Sequence, residues 1–248
     1  MGRENAICLF DVDGTLTKPR QVIEDDILNF VVEKLKNQFT IGLVGGSDYS
    51  KILEQMGGEK GVKHFDYIFS ENGVVARKDG KIINESSIAK HVGEDKIQAL
   101  INFCLRYLSN VTLPLKRGTF IEYRTGLINV SPVGRSCSQK EREEFYLYDQ
   151  EHHIRDQFKK ELEKEFSDYD LKFSIGGQIS LDVFPVGWDK TYCLQFLEQF
   201  DTIYFFGDKT QEGGNDFEIF NDQRVVGHSV TGPNHTLKLL EDLLKQSH

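Results

Sequence analysis

Few features of a secreted, membrane-bound or nucleic-acid-binding chain are present in this sequence. Its 248 residues hold only four cysteines, Cys8, Cys104, Cys137 and Cys193. They lie far apart without a CxxC pair, so neither a disulfide framework nor a zinc site is expected. No uncharged apolar run approaches the ~20 residues that span a bilayer. The apolar run after Arg3 and Glu4 stops at Asp11, too short for a signal peptide, and Ala6 stands where a myristoylation signal needs Ser or Thr. A cytoplasmic protein is therefore expected, in which the glycosylation sequons at Asn84, Asn110, Asn129 and Asn234 carry no meaning. Positive charge is the minority, 30 Lys and Arg against 39 Asp and Glu for a net charge of -9. That balance argues against a nucleic-acid or anionic-membrane partner.

Motifs are missing too. No GxxxxGK[ST] loop and no GxGxxG after a strand occurs, which removes ordinary NTP and dinucleotide binding. An EF-hand starting at Asp11 would need glycine at its sixth place and glutamate at its twelfth, where Leu16 and Val22 stand. The seven histidines are scattered and support no Ser-His-Asp triad. There is no internal repeat, low-complexity tract or charged tail.

What is there suits a globular enzyme-sized chain: 39% hydrophobic and 28% charged residues, with 18 Phe and 9 Tyr to fill a core. Residues 6–10 read as a short, fully buried strand ending at "DVDGT". A helix follows the acidic Glu24, Asp25 and Asp26. Residues 39–44 read as a second buried strand ending at Gly45-Gly46-Ser47, residues 50–56 as a second helix, and residues 67–69 as a third strand. Strand and helix in alternation predict a doubly wound parallel sheet, a Rossmann-like α/β core, whose ligands bind beyond the carboxyl ends of its strands. From Val74 the pattern changes. Residues 74–83 read as a hairpin and 95–108 as a helix. Two further hairpins are expected, 119–123 with 127–130 and 171–175 with 179–184, with a charged segment at 139–149 and an amphipathic helix at 154–166 between them. The core pattern resumes with a helix at 190–200, a strand at 202–206 ending at Gly207-Asp208, and a closing helix from about Asn234. The expected organisation is a core at residues 1–81 and 187–248, interrupted by an inserted α+β cap with an antiparallel sheet at 82–186.

Two carboxylates one residue apart, Asp11 and Asp13, admit two explanations: a solvated Asp-Gly turn, or a site for a hard cation that cancels their repulsion. In a single parallel sheet the end of the first strand (Asp11, Asp13), that of the second (Ser47) and that of the last (Asp208) converge, with Asn215 and Asp216 in support. Oxygen-only ligands favour Mg2+.

DVDGT, Gly46-Ser47, Lys190 and Gly207-Asp208 with Asn215-Asp216 resemble, in order, the four motifs of the haloacid dehalogenase phosphotransferases. "RGTFIEYRTGLINVSPVGRSCSQKERE", "GGQISLDVFPVGWDK" and "YFFGDKTQEGGNDFEIF" extend the likeness to eukaryotic-type phosphomannomutases over nearly the whole chain. The resemblance implies interconversion of mannose 6-phosphate and mannose 1-phosphate ahead of GDP-mannose synthesis, with Mg2+, a hexose 1,6-bisphosphate activator and a homodimer formed through the cap. It also implies roles. Asp11 becomes the nucleophile that forms an aspartyl phosphate and Asp13 the proton donor and acceptor, while Ser47 and Lys190 hold phosphate. Asp11, Asp208 and the backbone carbonyl of Asp13 hold the metal. Arg20 from the core and Arg124, Arg135, Arg142, Ser180 and Asp182 from the cap bind substrate. Arginine's planar fork suits bidentate phosphate recognition, whereas Arg117 is read as a surface ion-pair residue. Phe220, Asp222 and Val225 fall where that family carries a second cation loop. The remaining alternative is a sugar-phosphate phosphatase of the same superfamily.

Overall fold

The computed structural model describes residues 5–246; Arg3 and Glu4, used above to read the N-terminus, lie outside them. The chain divides into two compact units. One holds the described residues up to Glu85 and those from Gly187, and the other runs from Ser86 to Val186. All four cysteines are buried free thiols, and no helix of the described residues is long and apolar enough to cross a membrane.

The first unit begins with β1 (Ala6–Phe10), α1 (Asp25–Glu33), β2 (Thr40–Val44), α2 (Tyr49–Gln55), the single turn α3 (Glu59–Val62), β3 (Tyr67–Ser70), β4 (Val75–Lys78) and β5 (Lys81–Glu85). All five residues of β1 are buried, as a central parallel strand covered on both faces requires. Cys8 and Phe10 pack into one apolar cluster with Ile27 and Val31 of α1. Ile7 and Leu9 point the other way, into a cluster with Phe69 and Leu194. Asp79 and Gly80, with φ of 49° and 75°, make the two-residue turn that joins β4 to β5. The boundary expected after residue 81 needs correction. The β4–β5 ladder reaches Val75↔Glu85, so the whole hairpin belongs to the first unit. Ile82 and Ile83 are exposed on this edge strand, and exposed apolar residues do not reveal which sheet they join.

The second unit holds α4 (Ile88–Val92), α5 (Glu94–Asn110), β6 (Ile121–Tyr123), β7 (Ile128–Val130), α6 (Gln139–His152), α7 (Ile154–Glu165), β8 (Leu171–Gly176) and β9 (Ser180–Pro185). Its sheet has the order β6-β7-β9-β8, every pair antiparallel. Tyr107 of α5 stacks on Phe158 of α7, ring centroids 4.2 Å apart. The charged segment at 139–149 proves to be helical. Ser138 accepts from the Glu141 amide while Glu141 accepts from the Ser138 amide, a capping box legible as Ser-x-x-Glu. Its apolar residues are too sparse for a periodic signal.

The first unit resumes with a 3-10 segment (Lys190–Phe196), β10 (Thr202–Gly207), α8 (Phe217–Phe220), β11 (Val225–Ser229) and α9 (Pro233–Gln246). The segment read as a helix over 190–200 is shorter and tighter than expected. Its buried residues, Lys190, Cys193, Leu194 and Leu197, follow the i, i+3, i+4, i+7 spacing that reads as an α-helix, yet the backbone over Lys190–Phe196 is 3-10. The seven strands run in the order β11-β10-β1-β2-β3-β4-β5. The first five are mutually parallel, and the β4–β5 hairpin adds two antiparallel strands at one edge. β1 therefore sits between β2 and β10, which places the ends bearing Asp11, Ser47 and Asp208 side by side.

Candidate active site

The carboxyl end of β1 delivers Asp11, whose amide donates to the Phe206 carbonyl at 2.9 Å and so continues the parallel ladder into the site. Its carboxylate is buried. The Lys190 ammonium, 1% exposed, donates to Asp11 Oδ1 and, at 2.5 Å, to Asp216 Oδ1. Asp216 is also buried, and its Oδ2 accepts from the Lys209 amide at 3.0 Å. Burial pushes the Asp11 carboxyl up to about 7, with repulsion from Asp216 and Asp208 adding to it against the opposing charge of Lys190. Burial by itself would draw the Lys190 ammonium down, but the two carboxylates outweigh it and hold the group above the usual lysine range. Asp208 is likewise raised, first by burial.

Asp11, Asp208 and Asp216 each offer a carboxylate oxygen within 4.8 Å of one another. This is the one grouping of three such ligands among the described residues. It holds the expected ligands Asp11 and Asp208 together with Asp216, expected as a supporting residue. Three carboxylates opposed by one ammonium leave a net charge of about -2, and Asp11 is hard to ionise there without further compensation. That charge deficit and the all-oxygen donor set fit Mg2+. Gly14 makes the arrangement possible. Its φ is +81°, and a Cβ there would lie 2.4 Å from Asp208 Oδ2, so only glycine lets the loop pass this close.

Asp13 turns away from the cluster. Its Oδ1 accepts from the Arg20 amide at 2.8 Å and from Gln55 Nε2 at 2.5 Å, so its side chain is not a member of the carboxylate group. Arg20 is exposed and adopts a left-handed φ of 62°. Ser47 lies in the loop between β2 and α2. That loop is braced from below: the Glu71 amide donates to the Ser47 carbonyl and the Asn72 amide to the Gly45 carbonyl, both at 2.9 Å. Asp48 caps α2 by accepting from the Lys51 amide at 2.8 Å. Asn215 is exposed, in the turn preceding Asp216.

In the expected second cation loop Phe220 ends α8 and Val225 begins β11, the Val225 amide donating to the Asp222 carbonyl at 3.0 Å. Both oxygens of the Asp222 carboxylate, however, accept from Arg224, at 2.9 and 2.7 Å. The loop's positive partner is thus a guanidinium from its own chain. Arg224, two residues on, was the missed signal.

In the second unit, register assembles a polar row. Glu122 lies opposite Asn129, which lies opposite Asp182, which lies opposite Ser174. Arg124 donates to Glu122 Oε2 through Nε at 2.8 Å and Nη2 at 2.5 Å, and Arg135 Nε approaches the same oxygen at 3.1 Å. Arg135 Nη1 donates to Asn129 Oδ1 at 2.7 Å, and Asn129 Nδ2 to Asp182 Oδ1 at 2.6 Å. Arg142 Nη2 donates to the Arg135 carbonyl at 3.1 Å. Ser180 Oγ donates to the Gly176 carbonyl at 3.1 Å, beside the turn that the buried Arg155 holds through the Gly177 carbonyl. Burial raises the Asp182 carboxyl, opposed by Asn129 and the arginines, and burial with the neighbouring Arg124 lowers Arg135. Arg117 pairs with Glu141 at 2.7 Å, apart from this network. Glu122 and Asn129 were not foreseen, because a single polar residue on a strand carries no signal until its cross-strand neighbours are known.

A model of the eukaryotic phosphomannomutase family matches residues 28–246. A curated phosphomannomutase of Arabidopsis thaliana is 57% identical over 231 residues, 93% of each chain. One of Galdieria sulphuraria is 54% identical over 241 residues, 97% of this chain and 95% of the relative. Among solved structures, an N-terminally truncated IMP-nucleotidase of Plasmodium falciparum aligns over 98% of this chain and 68% of its own, with a TM-score of 0.62 at 19% identity. A trehalose-6-phosphate phosphatase related protein aligns over 97% and 98%, at 0.58 and 14%. These two share the fold.

Proposed function

The chain belongs to the eukaryotic phosphomannomutase family and is an isomerase that interconverts mannose 6-phosphate and mannose 1-phosphate; from that premise we propose how its residues divide the work. Asp11 is the nucleophile. Lys190 occupies Oδ1, which leaves Oδ2 to form the bond to phosphorus as the bond to the sugar oxygen breaks, giving an aspartyl phosphate. Asp13 gives its proton to the departing sugar oxygen and takes one from the incoming hydroxyl in the second half-reaction. Lys190 and Ser47 hold the transferring phosphoryl group by charge and hydrogen bond. Asp11 and Asp208, with the Asp13 carbonyl, would hold Mg2+, and Asp216 fixes Lys190 beside them. When bound, the cation supplies charge stabilisation for the equatorial oxygens of the phosphoryl group.

A mutase, unlike a phosphatase, has to grip a second phosphate while the first is transferred. We assign that grip to Arg124, Arg135 and Arg142, assign Arg20 of the first unit to substrate binding, and assign the sugar hydroxyls to Ser180 and Asp182. The observation that carries this reading is the paired arginine network around Glu122 in an otherwise acidic chain. From the family resemblance alone come a hexose 1,6-bisphosphate as activator and intermediate, delivery of product to GDP-mannose synthesis, and a cytoplasmic homodimer formed through the second unit.

The test is conversion of mannose 1-phosphate to mannose 6-phosphate with bisphosphate present, scored against released inorganic phosphate. Isomerised sugar should dominate, and Asp11→Asn should abolish turnover and phosphoenzyme together. Turnover surviving in Asp11→Asn sinks the nucleophile assignment; an excess of free phosphate favours the phosphatase reading.

A further inference from the structure

Gln55 is the last residue of α2 and is 2% exposed, an unusual place for an amide with no role in the core. Its backbone carbonyl accepts from the Ile23 amide at 2.7 Å. That bond ties the end of α2 to the chain just beyond Arg20. Its side chain reaches back 42 residues to donate to Asp13 Oδ1 at 2.5 Å. The same oxygen accepts from the amide of Arg20, whose left-handed backbone turns that N–H toward it. Asp13 Oδ2 accepts no hydrogen bond among the described residues. The two carboxylate oxygens are therefore inequivalent.

From this asymmetry we infer that Gln55 is a positioning residue for the proton-transfer step. By donating to Oδ1 it fixes the rotamer of Asp13 and leaves Oδ2 as the oxygen that carries the proton. The inference rests on the assignment of Asp13 as acid and base. An oxygen that already accepts two N–H bonds has its lone pairs engaged, which leaves the other oxygen to meet the sugar. As the bond from phosphorus to the sugar oxygen breaks, its electron pair goes to that oxygen, which takes the proton from Asp13 Oδ2. In the return step the incoming sugar hydroxyl gives its proton to Oδ2 while its oxygen bonds to phosphorus and the Asp11–phosphorus bond breaks. Gln55 gains and loses nothing. It keeps the same oxygen in play in both directions, as one residue serving as acid and then base requires. α2 starts directly after Ser47-Asp48, so one short helix spans the distance from the proposed phosphate-holding serine to the group that aims the acid.

The experiment is a double-mutant cycle on the full-length enzyme. Gln55→Leu removes the donor, and Gln55→Glu keeps the side chain's shape while placing an acceptor where the donor was. Each is made alone and with Asp13→Asn, and single-turnover phosphorylation by mannose 1,6-bisphosphate is followed beside steady-state kcat and KM. Asp13→Asn should slow phosphorylation by on the order of 10²-fold or more, the usual contribution of a general acid. Each Gln55 variant should lower kcat by roughly 10- to 100-fold with KM within about threefold, Gln55→Glu being at least as impaired as Gln55→Leu. In the Asp13→Asn background neither should cost more than about threefold, since no acid remains to be aimed. Equal losses in both backgrounds, or a mild Gln55→Glu beside a severe Gln55→Leu, would mark Gln55 as a packing residue and overturn the inference. If Asp13→Asn itself leaves the rate unchanged, the acid/base assignment fails and the inference falls with it. That outcome is distinct from failure of Gln55 alone. Thermal unfolding of each variant separates loss of fold from loss of rate.

Discussion

Replacing Lys190 with methionine tests the electrostatic account of the site most directly. The side chain keeps its length and loses its charge, which leaves Asp11 and Asp216 facing each other while both are buried, with Asp208 nearby. The local charge goes from about -2 to about -3. Breaking a buried pair by removing one partner typically costs about 3–5 kcal/mol, because the remaining charge is desolvated and unpaired. For a chain of this size that corresponds to roughly 6–20 °C in Tm. The defect should depend on pH in a stated direction. A carboxyl raised from 3.8 to about 7 binds more protons folded than unfolded between those values, so it weakens the fold as pH rises through that window. With Lys190 gone the carboxylates are harder still to ionise, so Lys190→Met should be worse at pH 8 than at pH 6. Two rescues follow. Asp216→Asn in the same chain removes one of the opposed charges and should return at least half of the lost stability. Saturating Mg2+, at ~100 times its Kd, should return about 2.7 kcal/mol. Urea unfolding at both pH values, in EDTA and in Mg2+, reads all of this. A loss below about 1 kcal/mol at pH 8, or a double variant no better than the single one, would refute the reasoning.

Gly14→Ala should lower kcat by on the order of 10²-fold and weaken Mg2+ binding, because the new methyl would meet Asp208 Oδ2 at 2.4 Å on a backbone with φ of +81°; steady-state kinetics against Mg2+ concentration measures both, and wild-type behaviour would contradict the close approach. His228 stacks on Phe206, ring centroids 4.6 Å apart, with Nε2 buried and unpartnered among the described residues. Burial lowers its pKa, so the unfolded chain binds the proton more readily. Stability should be complete above about pH 6.5 and fall as pH drops through it, a limb that His228→Asn removes from the curve of stability against pH.

Residues whose chemistry is local were legible from the chain alone. β1 announced itself as an unbroken apolar run cut off by DVDGT, and the order of strands and helices was enough to expect a parallel sheet with ligands at its carboxyl edge. Elements without an apolar period were not legible. α6 is charged on nearly every face, and β11 is a short strand whose place beside β10 comes from its ladder, not from its composition. The same limit applies within the site. Asp11 and Lys190 carry motif signals, but Asp216 reads only as a neighbour of Asn215 until Lys190, 26 residues away, is seen to bridge it to Asp11. Gln55 is an ordinary helix residue in sequence, and its importance lies in a contact with Asp13.

By itself, then, the sequence determined the class of fold, the acidic balance of charge, and the carboxylates, lysine and arginines suited to phosphoryl chemistry. All of these depend on residue type and short-range order. Tertiary structure decided which oxygen each group presents: Lys190 on Asp11 Oδ1, Gln55 and Arg20 on Asp13 Oδ1, Arg224 on both oxygens of Asp222. Such choices come from strand register and loop conformation, where a single turn at Gly14 or one left-handed residue at Arg20 redirects a donor by several ångströms, and no pattern of residue types along a chain encodes a direction.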